Sequence, residues 1–257
     1  MPGLWLWTTA IVFIAAASIL LMRWRVNNVR KQERTKATHD KELFLLQTKA
    51  LNAQMNPHFI FNCLNSIKSL VQMNRNNEAV DYLNLFAKLT RSLMQQSEKF
   101  ETSLYDELEI CRWYLQLETL RFGNKIDVQF SVEKDINTTL VTAPVLLIQP
   151  FIENAVWHGL VPKQKTGGLL RVSVGEKDRN LLCTIEDNGI GRAASMRMNA
   201  GVKTHEGKAM SLSQERINLH NQQQDKKISI TITDKFDDTG EPGGTLVAIT
   251  FLNYRDD

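Results

Sequence analysis

Cysteine is scarce in this sequence. Cys63, Cys111 and Cys183 are its three thiols, too few and too scattered for a disulfide framework or a thiolate metal site. They read as core thiols in a reducing compartment. A G-x-x-x-x-G-K-[ST] phosphate loop is also missing, as are internal repeats and low-complexity tracts. The formal net charge of +3 is too small to make nucleic acid a direct partner, and the basic residues are clustered rather than spread. Most informative is a missing charge: none occurs from Leu4 to Met22, in LWLWTTAIVFIAAASILLM.

At 1.5 Å per residue that run is about 28 Å long, the thickness of a bilayer's hydrocarbon core. A cleaved signal peptide carries its positive charges before the apolar stretch. Here they follow it, in RWRVNNVRKQER (23–34), with Trp5, Trp7 and Trp24 at the two ends. The pattern predicts a single transmembrane helix at 4–22 with the rest of the chain on the cytoplasmic side. So few residues precede the span that either the stimulus is membrane-borne or the chain belongs to a larger sensor.

After the basic cluster, Leu43, Leu46, Ala50, Ala53, Pro57, Ile60, Leu64, Ile67 and Val71 recur by threes and fours, the 3.5-residue period of a coiled coil or left-handed bundle. The helix is expected to meet its twin in a homodimer. Pro57 in that seam is costly to a helix interior, because it removes a donor and crowds the preceding turn. A second helix is expected from about Glu78 to Met94. Ser103 and Asp106 form a capping box opening a third, which ends at Gly123. The period then changes to two: Ile126, Val128, Phe130 and Val132 alternate with polar residues as in a half-buried strand. Beyond it the pattern predicts a helix from Pro144 to His158, strands in LLRVSVGE and NLLCTIED, a glycine-rich loop, a helix from about Lys208 to Asn221 and two final strands. The fold class is α+β, with helices on one face of a mixed sheet. The expected domains are the span at 4–22, a juxtamembrane signalling helix at 23–50, dimerisation helices at 51–124 and an α/β sandwich at 125–257.

GIGRAA, from Gly189, fits the weak dinucleotide pattern G-x-G-x-x-A, but it comes too late in the chain for the first turn of a Rossmann sheet. Taken in order, QPFIENAVWHGL, EDNGIG, GKAMSLSQERINLH and GGTLVAITF resemble the N, G1, G2 and terminal-strand elements of the GHKL ATP-binding domain. With NPHFIFNCLNSI and YLQLETLRFG upstream, the chain from Arg23 to Phe251 resembles a LytS-type sensor histidine kinase. The resemblance implies a protein of the inner (cytoplasmic) membrane of a bacterium. Its cofactors are ATP and Mg²⁺, and its partner is the receiver domain of a response regulator, to whose aspartate the phosphate passes.

It implies a role for each motif residue. His58 is the phosphoacceptor. A neutral imidazole near its ordinary pKa already offers a lone pair. Asn62, four residues on, shares its helical face; it orients the imidazole or a water, or is simply a bundle-surface asparagine. Asn154 is the Mg²⁺ ligand. Glu153 and His158 lie beside it, in a supporting role or as helix-surface residues. Asp187 accepts adenine's exocyclic amine, and Gly189 and Gly191 let the backbone approach the nucleotide. Gly207, Lys208 and Ala209 begin a helix whose free N–H groups suit phosphate. Ala209 replaces a usual second glycine, and Trp157 stands where a basic residue is common. Both leave open a second reading, a nucleotide-binding pseudokinase scaffold that docks a regulator without efficient phosphotransfer. Pro57 is expected to act as a hinge that carries a signal from the membrane to His58.

Overall fold

The computed structural model describes residues 20–28, 30, 57–97, 99–123, 125–163, 167–198, 206–224, 227–237, 239–252 and 254. The chain divides into two units, residues 1–49 and 50–257. In the first, residues 20–28 are helical, with Leu20, Leu21, Met22 and Trp24 exposed. Among the described residues no helix is long and apolar enough to cross a membrane. The expected span at 4–22 lies outside the described residues except for 20–22, and so does the seam from Leu43 to Ala53.

The second unit opens with α1 (Pro57–Gln72) and α2 (Asn76–Ser97), an antiparallel pair. Pro57 is the first described residue of α1, whose preceding residues lie outside the description. Phe59, Cys63, Ile67 and Leu70 turn inward, and Tyr82 on α2 closes the contact by donating its hydroxyl to Leu117 O at 3.3 Å. Of the seam, Ile67 packs inward and Ile60 is partly buried, while Leu64 and Val71 stay exposed, so intrachain packing covers only part of the predicted dimer seam.

Ser103 caps α3 (Leu104–Arg121) as its sequence predicts, its Oγ accepting the Asp106 N–H at 3.1 Å. This helix is buried nearly all round, because α1 and α2 cover one side and the α/β layer the other. A five-stranded sheet follows, in the order β2 (Ile126–Val132), β4 (Gly168–Lys177), β5 (Asn180–Asp187), β7 (Pro242–Phe251), β6 (Ile228–Phe236). The β2–β4 pair is parallel and the others are antiparallel. Strand alternation sends Leu170, Val172, Leu181, Cys183, Ile185, Val247 and Ile249 into the core. The opposite face carries charge: Glu186 pairs with Arg171 at 2.9 Å and Lys235 at 2.6 Å.

Two expectations change. Pro144 is not in a helix: β3 (Thr142–Pro144) pairs with β1 (Glu101–Ser103) in a small antiparallel sheet. A turn at 145–148 follows, with Leu146 at φ 57°, and α4 begins only at Gln149 (Gln149–Asn154). Pro150 then sits in the first turn, where a missing N–H costs nothing. The glycine-rich loop is shorter than expected, because GRAASMRM folds as α5 (Gly191–Met198). Finally, α6 (Glu206–Gln223) packs against α4 on the apolar face of the sheet.

Candidate functional site

α4 runs directly into a π-helical turn, Ala155–Leu160, which brings Asn154 and His158 to one cleft. The cleft is about 350 Å³, large enough for a small ligand. Phe151, Ile185, Met196, Met210, Ile232 and Val247 supply apolar wall, and Asn154, His158, Asp187, Arg192 and Thr245 supply polar groups.

Asp187 ends β5 and is only 4% exposed. Its Oδ1 accepts the Gly189 N–H at 2.7 Å. Burial pushes its carboxyl up to about 6, against the pull of that amide and of Lys235. Four glycines make the position possible. A Cβ on Gly159 would lie 2.9 Å from Asp187 Oδ1, and one on Gly244, at φ 121°, would lie 2.0 Å from Asp187 O. A Cβ on Gly189 would fall 2.3 Å from the Gly159 carbonyl carbon, where Ile190 N–H donates to Gly159 O at 3.0 Å. Gly191, at φ 74°, has Pro242 Cβ 3.0 Å from its Cβ position. The close approaches made by Gly189 and Gly191 are therefore to the protein's own chain. Gly159 and Gly244 are missed by sequence reasoning, although both stand inside quoted motifs. Arg192 is missed as well; its guanidinium lines the cleft in a bidentate pair with Asp234, at 2.7 and 2.8 Å.

Glu153 accepts from Gln149 Nε2 at 2.8 Å and lies within Coulombic reach of Glu118 on α3. Burial is the main cause that pushes its carboxyl up to about 7. Trp157 turns to α3: its indole N–H donates to Tyr114 Oη at 3.0 Å, its ring meets Phe122 edge-on, and the Arg121 guanidinium sits 4.4 Å from the ring centre. Its departure from a basic residue thus bears on a helix contact. Tyr114 in turn packs on Phe59 at 5.2 Å, next in sequence to His58. Asn62 is partly buried one turn further along α1. Gly207, Lys208 and Ala209 occupy the first turn of α6. The side chains of His58, Lys208 and Ala209 lie outside the described residues.

Among the described residues no group of three His, Cys, Asp or Glu side chains could hold a metal. The donor at hand is the Asn154 amide oxygen, which fits Mg²⁺, an ion that takes one or two protein oxygens and completes its shell from phosphate and water.

Residues 46–126, the stretch that holds α1, α2 and α3, match the histidine kinase family model. The chain's relatives include LytS. The sensor histidine kinase/phosphatase LytS of Staphylococcus aureus is 34% identical over 155 residues, 60% of this chain and 26% of that protein. Escherichia coli sensor histidine kinase YpdA is 32% identical over 145 residues, covering 56% of this chain and 25% of its own length. Sensor histidine kinase BtsS of the same organism is 35% identical over 144 residues, 55% and 24%. The chain spans about a quarter of the length of each of these relatives.

Proposed function

We propose that the chain is the kinase portion of a membrane-anchored, homodimeric sensor that phosphorylates His58 from Mg-ATP and passes the phosphate to an aspartate of a response regulator. The observation that carries this reading is the cleft that joins Asn154 and His158 of the π-helical turn to the buried Asp187. A carboxylate keeps lone pairs beyond the one given to Gly189, so Asp187 takes adenine's exocyclic amine while Ile185, Ile232 and Val247 cover the base. Asn154 stands at the phosphate end, and the amides that open α6 face the anion there. When bound, Mg²⁺ neutralises charge on the transferred phosphoryl group, so the protein's share is mainly positioning. The neutral His58 imidazole attacks the γ-phosphorus, the bond to the ADP oxygen breaks, and the ring proton leaves to solvent. The seam that leaves Leu64 and Val71 exposed supports the dimer. The charge-free run at 4–22 with its basic flank supports the membrane anchor.

Incubation with γ-labelled ATP and Mg²⁺ should yield an acid-labile, alkali-stable phosphoprotein, and His58→Gln should abolish the label while nucleotide binding persists. Label that survives this substitution overturns the assignment of His58.

A further inference from the structure

The turn at 145–148, from which the helix bearing Asn154 and His158 starts, has no side chain of its own to hold it. Ile148, the N-cap of α4, makes no side-chain cap, and Leu146 adopts φ 57°, a region that a non-glycine residue enters only when its surroundings enforce it. The enforcement comes from two distant elements. Glu107 of α3, 1% exposed, accepts the Leu146 N–H on Oε1 at 2.5 Å and the Ile148 N–H on Oε2 at 3.2 Å. Arg216 of α6, 8% exposed, donates from Nη1 to Val145 O at 2.9 Å. One buried acid and one buried base, within Coulombic reach of each other, thus hold the same turn at Val145, Leu146 and Ile148. Burying either charge is costly unless it is bonded, so both are aimed by the fold at this backbone.

We propose that Glu107 and Arg216 are positioning residues of the nucleotide site: they set the start of the Asn154 helix and tie it to α6, the helix whose first turn holds Gly207 to Ala209. The inference rests on the nucleotide-binding reading above and deepens it. Neither side chain lines the cleft. They act through the turn, by fixing where Asn154 and His158 stand relative to the opening turn of α6. Arg216 is the more telling of the two, because it lies on α6 itself, ten residues past Glu206, the first residue of that helix. A change at that opening turn is carried by a stiff helix to Val145 and so to the entry of α4.

The test is binding of a fluorescent ATP analogue with Mg²⁺ to the whole chain, together with the KM and kcat of autophosphorylation and a thermal melt. Glu107→Gln keeps one acceptor oxygen and turns an amide toward the second N–H. It is expected to raise Kd and KM for the nucleotide about tenfold, the effect of one lost charge-assisted bond. Arg216→Gln is expected to act in the same direction and keeps the test open if the first variant does not fold. A merely structural role would lower the folded fraction, and with it kcat, while leaving the KM and Kd of the folded protein unchanged; that result in either folded variant overturns the proposal. A folded wild-type chain that binds no ATP analogue overturns the underlying nucleotide-binding reading as well, and so separates the two failures.

Discussion

At the scale of single residues, the fold keeps several carboxyls away from water. Burial pushes Glu107, Glu118 and Glu153 each up to about 7, and Asp187 to about 6. In the unfolded chain a glutamate titrates near 4.5. Between these values the folded state binds more protons than the unfolded one, so the stability these groups contribute is full below about 4.5 and is lost as pH rises through about 7. Carboxylates held low by ion pairs, Glu186 and Asp234, act at still lower pH and leave that window alone. The melting temperature followed by circular dichroism should therefore be lower at about pH 8 than at about pH 5. Glu118→Gln, which removes one titrating group paired with Arg121 at 3.1 Å, should reduce the slope by on the order of 1 kcal/mol across that range. A melting temperature that rises over this interval would contradict the burial argument.

At the scale of elements, the junction between β5, the π-helical turn and β7 is built on backbone contact rather than side chains. Gly189 rests on Gly159, and Gly244 on Asp187. Where the neighbouring atoms are main chain, no rotamer change makes room. Gly189→Ala should cost on the order of 3 kcal/mol and abolish nucleotide binding, because the loop must lift away from the π-helical turn and take Asp187 with it. Gly123→Ala provides the comparison. Gly123 has φ 62° but nothing within 4 Å of its Cβ position, so that change should cost only about 1 kcal/mol and leave binding intact. Denaturant titration of both variants checks the ranking, and a loss at Gly189 no larger than that at Gly123 would mean that the Gly159 backbone yields to a side chain.

At the scale of the whole second unit, one line of contacts runs from α1 to the cleft: Phe59 on Tyr114, Tyr114 to the Trp157 indole, and Trp157 next to His158 on the π-helical turn. Tyr114→Phe removes the indole's partner at a buried position, a loss of about 1–2 kcal/mol, without touching the cleft lining. The expected outcome is a fall in the initial rate of His58 labelling that exceeds the change in nucleotide Kd. Comparable losses in both would place the contact in the nucleotide site alone.

The sequence by itself determined what acts within a turn or a strand. Ser103 caps α3 because its hydroxyl needs only the amide three residues on, and the alternation at Ile126 to Val132 sorts faces with no knowledge of the partner strand. It also marked Asn154, His158 and Asp187, which the tertiary structure brings to one cleft. Local pattern misled where a distant partner overruled it: Pro144 pairs with Glu101 in a strand, and the Gly191 segment coils into a helix once Gly159 and Pro242 confine its start. Only the tertiary structure decided that Glu107 and Arg216 hold the turn at 145–148, that Gly244 makes room for Asp187, and that Trp157 turns to Tyr114. The physical reason is that each of these pairs residues far apart in the chain. Their energies depend on burial and on the closing of long loops, and neither is encoded in the neighbours of either residue.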